Sequence, residues 1–213
     1  MEIDCISDLH GHLPTLDGGD MLIIAGDLVA HGTRIEYDIF ADWLNNQKYA
    51  HKVVIPGNHD TYLESKPEYF KYLDFHYLVD ESVEIEGFKV YGTPWSFQFI
   101  GINPLCMAFT GDNDILDAKF NQIPADTDIL VTHSPAFGIH DKNSLNKSCG
   151  SPLIRHKVEC GSVRLHVAGH IHEAYGKTLL KTMLSRKKDT WCVNASIMDG
   201  NYKPVNKPIR INL

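Results

Sequence analysis

Val53-Val54-Ile55-Pro56-Gly57-Asn58-His59-Asp60 is the stretch around which the rest of the chain is arranged. Three β-branched apolar residues that stop at Pro-Gly read as a buried strand ending in a tight turn. The residues that follow, Asn58, His59 and Asp60, can hold or orient a metal ion or a phosphate. They sit where the backbone leaves a sheet. Ligands of α/β proteins gather at the carboxyl ends of strands, so the pattern predicts that the chemistry lies there.

The same design recurs on both sides of this stretch. Upstream, a strand over 2–7 ends at Asp8-Leu9-His10-Gly11-His12, and the unbroken apolar run 21–25 ends at Gly26-Asp27. An uninterrupted apolar run marks a strand covered on both faces. Between them and the opening stretch, Tyr37, Phe40, Trp43 and Leu44 recur at helical spacing over 36–47. Strand, strand, helix, strand predicts a βαβ core with a right-handed crossover. Downstream, the strand 129–132 ends at His133, and 165–168 ends at Gly169-His170-Ile171-His172.

The remaining segments are less regular. A short helix is expected over 67–72, and a hairpin over 82–86 and 88–92 around Glu86-Gly87. Gly92-Thr93-Pro94-Trp95 should break that hairpin into a loop running to Phe99. Helices are expected over 112–122 and 153–160, a polar mobile loop over 143–150, and strands over 177–180, 190–194 and 209–213. No repeat or linker divides the sequence, so 1–213 reads as a single domain.

Composition bounds the function. With 213 residues, 43% hydrophobic and 22% charged, the chain can bury a full core. A net charge of -7 disfavours a nucleic-acid surface, which carries a basic stripe. Five cysteines, an odd number without CxxC spacing, fit reduced thiols better than a disulfide framework. No apolar run approaches the roughly 18 residues that cross a bilayer, and Met1 leads straight into a strand-like segment. The expectation is a soluble cytoplasmic protein with no membrane partner and no nucleic-acid duplex partner.

If these strands are neighbours, Asp8, His10, Asp27, Asn58, His133, His170 and His172 converge on one rim. Two carboxylates, an amide oxygen and four imidazoles suit Mn, Fe or Zn better than Ca, which takes oxygen alone. A carboxylate can bridge two ions about 3.5–4 Å apart, the spacing of two-metal hydrolytic sites.

On these five strand-end signatures, in this order and spanning residues 8 to 172, the chain resembles the calcineurin-like metallophosphoesterases. It is similar in particular to the small metallophosphoesterase-domain phosphodiesterases, through Tyr91-Gly92-Thr93-Pro94-Trp95, Thr132-His133-Ser134-Pro135, Gly169-His170-Ile171-His172-Glu173-Ala174-Tyr175-Gly176 and Asn194-Ala195-Ser196. The resemblance implies an α/β fold (α+β by some schemes), a four-layer αββα sandwich of two mixed β-sheets flanked by helices. It implies two divalent ions, with Mn favoured in vitro. Asp8, His10 and His172 would hold one, Asn58, His133 and His170 the other, and Asp27 would bridge them. His59 would face the phosphate as donor or general acid, with Asp60 orienting its ring. A hydroxide between the ions would attack phosphorus in line. The implied substrate is a small phosphodiester or nucleotide, cyclic nucleotides included, bound in part by Asn58 and His59.

Other readings stand beside this one. Trp95 would stack on a base or pack a loop, and His12 would touch substrate or decorate a loop. His31, His51, His76, His140, His156 and His166 read as structural or surface residues, as do the basic runs 142–147 and 186–188. Asp112, Asp114 and Asp117 read as the charged face of a helix, and Cys5 as a small buried apolar residue. A protein phosphatase or other phosphomonoesterase of the same superfamily is the enzymatic alternative. Leu28-Val29-Ala30 stands where those carry Asp-Arg-Gly, and the motif ends in Asp60 rather than Glu. A non-catalytic scaffold would lose ligands or His59, and this chain keeps them all.

Overall fold

The alternation of buried residues along the strands builds two sheets that share one apolar interface. The computed structural model describes residues 1–71, 73–98, 105–181 and 189–213. The chain runs β1 (Glu2–Ile6), β2 (Gly19–Ala25), α1 (Arg34–Asn45), β3 (Tyr49–Ile55), α2 (Thr61–Ser65), β4 (His76–Tyr77), β5 (Glu81–Ile85) and β6 (Phe88–Thr93). It continues through β7 (Ser96–Phe97), β8 (Thr110–Gly111), α3 (Asn113–Asn121), β9 (Ile129–Thr132), α4 (Pro152–Cys160) and β10 (Leu165–Ala168). A short 3-10 turn, His172–Ala174, then leads to β11 (Gly176–Leu180), β12 (Thr190–Asn194) and β13 (Ile209–Asn212).

One sheet has the order β13-β1-β2-β3-β4 and the other β11-β12-β10-β9-β6-β5. Both are mixed. β1 to β4 pair in parallel and β13 returns antiparallel to β1. In the second sheet β6, β9, β10 and β12 are parallel, with β5 and β11 antiparallel at its edges. Ile3, Cys5, Met21, Ile23 and Val53 from the first sheet pack against Val90, Ile129, Val131, Val167 and Val193 from the second. The residues between them on the strands, such as Leu22, Ile24 and Val54, face outward and are covered by Tyr37, Phe40 and Leu44 of α1 and Leu63 of α2. Tyr91, Leu130 and Cys192 are covered in the same way by Leu116 and Phe120 of α3 and Ile154 and Val158 of α4. Period-2 burial on strands, capped by helices on both outer faces, gives four layers, αββα.

The helices start where their caps dictate. Thr33 and Glu36 form a reciprocal capping box for α1, Asp112 caps α3, and Ser151 followed by Pro152 opens α4. Asp112 is therefore a cap, not part of a helix face.

Three local expectations are corrected. Residues 67–71 form turns closed by three-residue backbone bonds, not a helix, and Tyr72 lies outside the described residues. The helix at this place is α2, which opens directly after Asp60. The hairpin does not end at Gly92: β6 runs on to Thr93, where Gly92 and Thr93 pair with Val131 and Thr132. β7 lies within what read as a loop and pairs with β8, further along the chain; Phe99 and the basic run 186–188 lie outside the described residues. Among the described residues no helix is long and apolar enough to cross a membrane.

Candidate metal centre

The two sheets bring five strand ends to one rim. Asp8 and His10 follow β1, Asp27 follows β2, Asn58 and His59 follow β3, His133 follows β9, and His170 and His172 follow β10. Four of these residues leave their strands in the left-handed region: Asp8 (φ 55°), His10 (42°), Asp27 (55°) and His170 (69°). Asp and His tolerate that region better than most side chains, and such conformations cluster at functional sites. The approach is close enough to need glycine. A Cβ on Gly57 would overlap the Asp27 carboxylate, and one on Gly169 would overlap Ser7 Oγ and Asp8 Oδ2.

Asp8, His10 and His172 place one ligand atom each within 4.8 Å of one another, as do Asp8, Asp27 and His133. The Asp8 carboxylate accepts from the backbone N–H of His170 at 3.0 and 3.1 Å, and His172 Nε2 is 3.6 Å from its Oδ1. Asp27 Oδ1 is taken by the backbone N–H of His59 at 2.9 Å. That leaves Oδ2 between the two groups, 3.7 Å from His10 Nε2 and 3.5 Å from His133 Nε2.

The donor set fits a cation. His133 Nδ1 lies 2.9 Å from the Ala25 carbonyl, which can only accept, so Nδ1 carries a hydrogen and Nε2 faces the rim. Asn58 Nδ2 donates to the Cys106 carbonyl at 3.0 Å, which turns Oδ1 inward to within 3.0 Å of that same Nε2. That contact holds with positive charge at this point, either a proton on Nε2 or a cation in its place. His10 and His172 also meet Nε2 to Nε2 at 3.2 Å, and His170 Nδ1 is 3.2 Å from His133 Nε2, so the ring nitrogens gather at the rim. Asp8 and Asp27 are 0% and 2% exposed, and no Lys or Arg among the described residues pairs with either. Buried carboxylates without a cation are costly.

The local field says the same. Burial alone would depress His133, but the Asp27 and Asp8 carboxylates outweigh it and raise it to about 9. Burial would raise Asp8, yet His172 and His133 bring it down to about 2, and Asp27 is likewise held well below its ordinary value. Burial pushes His10 down to about 4 and His170 to about 3, leaving both neutral and able to ligate. A potential that draws a proton onto His133 also draws a divalent ion.

His59 stands at the edge of this cluster, with Nε2 4.0 Å from Asp27 Oδ2 and its ring 4.6 Å from that of His10. The expectation that Asp60 orients His59 is corrected. Asp60 is fully buried and accepts from Gly57 N at 2.7 Å, Tyr37 Oη at 2.9 Å and Leu28 N at 3.3 Å, so it braces the two strand-end loops. Burial and the neighbouring Asp27 charge raise it to about 7. What faces His59 Nδ1 instead is Cys106 Sγ, at 3.2 Å.

Trp95 is held by packing. Its Nε1 donates to Asp80 at 3.0 Å, Lys119 lies 4.4 Å over the ring, and Phe109 meets it edge-on. His12 is exposed on the loop after His10. His166 is buried inside β10 against Thr132 Oγ1 at 2.8 Å, a structural position. Tyr202 carried no sequence signal, yet its ring lies 4.9 Å from that of His10 and 4.8 Å from that of His172. Its backbone is left-handed (φ 58°) in a turn that Asp199 holds through the N–H groups of Asn201 and Lys203. The 143–150 loop is organised by Asn143 and Asp141, which accept from the backbone of Leu145, Lys147, Gly138 and Gly150.

A family model, calcineurin-like phosphoesterase, matches residues 1–174. The chain belongs to that family. Members use divalent metal ions, in keeping with the clustered ligands, and the family is one of phosphoric ester hydrolases. The chain is 34% identical to human metallophosphoesterase domain-containing protein 1, over 98% of this chain and 70% of that protein. Among solved structures it is similar to TT1561 of Thermus thermophilus (TM-score 0.61, 16% identity, 91% of this chain and 88% of that one). It is also similar to the Haemophilus influenzae NAD nucleotidase (TM-score 0.53, 13% identity, all of this chain and 49% of that one). At these identities the structural matches speak for the fold alone.

Proposed function

We propose that this calcineurin-like phosphoesterase is a phosphodiesterase acting on small diesters, cyclic nucleotides among them, with Mn²⁺ as the ion to load in vitro. The observation that carries the reading is the joint placement of Asp27 Oδ2 between two ligand groups and His59 Nε2 beside it. Asp8, His10 and His172 would hold one ion and Asn58, His133 and His170 the other, with Asp27 shared. When bound, the ions supply an acidified water as nucleophile and screen the charge on the phosphate oxygens.

The chain's own residues do the rest. His59 donates from Nε2 to a nonbridging oxygen or to the departing one, general-acid work of the kind imidazoles perform. The amides of His59 and His170 hold the carboxylates of Asp27 and Asp8 in fixed orientation, so nothing reorganises as charge develops. No arginine or lysine among the described residues pairs with Asp8 or Asp27. Tyr202 adds an aromatic wall beside His10 and His172.

The test is a rate comparison on protein stripped of metal and reloaded with Mn²⁺. Bis(p-nitrophenyl) phosphate should turn over faster than p-nitrophenyl phosphate, and 2′,3′- or 3′,5′-cyclic AMP should also be cleaved. Preference for the monoester would make it a phosphatase, and no turnover of any substrate would make it a non-catalytic scaffold.

A further inference from the structure

We propose that Cys106 is the positioning residue of His59, the part that an adjacent carboxylate would otherwise play; the assignment rests on the hydrolytic reading above. Asp60, next to His59 in sequence, spends both oxygens on Gly57, Leu28 and Tyr37. Cys106 Sγ lies 3.2 Å from His59 Nδ1, on the side of the ring away from the metal-facing Nε2. The partner of one ring nitrogen fixes the orientation and tautomer of an imidazole, and so decides what the other nitrogen can do.

The sulfur is held there by backbone anchors that do not depend on it. Asn58 Nδ2 donates to Cys106 O, Ala108 N donates to Asn58 O at 3.1 Å, and Phe109 N donates to Glu64 Oε1 at 2.7 Å. The 106–109 segment is thereby fastened both to the Gly57-Asn58-His59 turn and to α2. Removing the sulfur leaves these bonds in place, so Asn58 keeps its inward oxygen.

The chemistry balances with a neutral thiol. In the imidazolium, Nδ1–H points at the sulfur, a weak acceptor, and Nε2–H at the leaving oxygen. As the phosphorus–oxygen bond breaks, its electron pair goes to the leaving oxygen, which takes the Nε2 proton. The ring is left neutral with Nδ1–H still on the sulfur. The sulfur aims the ring through Nδ1 and leaves Nε2 facing the leaving oxygen.

The test exploits leaving groups on the Mn²⁺-loaded full chain. An alkoxide needs the proton and p-nitrophenolate does not. Cys106→Ala should therefore lower kcat on 2′,3′-cyclic AMP by a measurable part of the roughly 10²–10⁴-fold that a general acid supplies, with KM and Mn²⁺ content nearly unchanged. On bis(p-nitrophenyl) phosphate the loss should be much smaller. Cys106→Ser, whose hydroxyl can meet Nδ1, should recover most of the rate. In a His59→Ala background Cys106→Ala should cost nothing further. Equal losses on both substrates, additivity with His59→Ala, or a lowered Mn²⁺ content would overturn the assignment and make Cys106 a packing residue. If the wild type cleaves monoesters only, the phosphodiesterase reading falls, and AMP against p-nitrophenyl phosphate decides Cys106 by the same criterion. If it cleaves neither class, both fall.

Discussion

Two buried carboxylates four residues apart on one strand have opposite surroundings. Asp4, within β1, is met by Arg210 from the neighbouring β13, whose Nε and Nη2 each donate at 2.7 Å, and by the Tyr49 hydroxyl. Asp8, just past the end of β1, is equally buried, and among the described residues its polar partners are imidazoles and the His170 amide. Asp27 repeats the pattern one strand over. A carboxylate with a structural task takes its countercharge from the chain, through a partner that closes the sheet. The carboxylates at the rim face imidazoles instead, which can exchange a proton for a metal ion. Burial is the same at both ends of the strand; the presence of a guanidinium separates scaffold from site.

The comparison breaks most severely at Asp27. Asp27→Asn keeps the shape and tolerates the left-handed backbone, since Asn adopts that region readily. It removes the charge that both ligand groups share. Both ions should be lost together, and hydrolysis should fall to the level of metal-stripped protein. Metal content per chain, measured on the purified variant, is the check: one ion retained at full occupancy would show that Asp27 is not the bridge.

At the other end of the strand, Arg210→Met should do the converse. Asp4 would keep only the Tyr49 hydroxyl, and Gly18 O and Glu2 would also lose a donor. Stripping one partner from a fully buried pair costs about 3–5 kcal/mol. The Arg210 side chain is 37% exposed, so a smaller loss than that is expected in urea unfolding, with metal content and turnover unchanged. A loss of metal would show that the two ends of β1 are coupled.

The sequence was legible where local pattern and tertiary placement coincide. Each ligand at a strand end follows an apolar run or a glycine, so the five signatures and most helices could be read from it, and the two-sheet sandwich was implied by the family resemblance those signatures carry. Asp60 was misjudged because neighbours in sequence point apart where the chain turns: His59 faces the rim while Asp60 is turned under the loop toward Tyr37 on α1. Cys106 and Tyr202 lie 47 and 143 positions beyond His59, in loops whose course is set by pairing with distant backbone, as in the bond from Ala108 N to Asn58 O. α2 and the two-residue strands β7 and β8 are too short for any periodicity to show.

The finest form of the comparison sets His166 against His133, two fully buried histidines on the paired strands β10 and β9 and their continuation. With carboxylates at hand His133 rises to about 9; His166, where burial acts alone, falls to about 3. The sign for His166 follows. Unfolded, it titrates near 6.5, so between pH 6.5 and 3 the unfolded chain binds the extra proton and stability falls as pH falls. Above 6.5 its contribution is fully present. His166→Gln, which can still meet Thr132 Oγ1 but does not titrate, should remove one proton's worth of slope, about 1.4 kcal/mol per pH unit, from that window. By pH 5 the wild type should have lost about 1–2 kcal/mol more than the variant, relative to pH 7.5, in urea unfolding curves. Parallel profiles for the two proteins would mean that His166 reaches a proton acceptor when folded. Burial would then not be what sets it apart from the histidines at the rim.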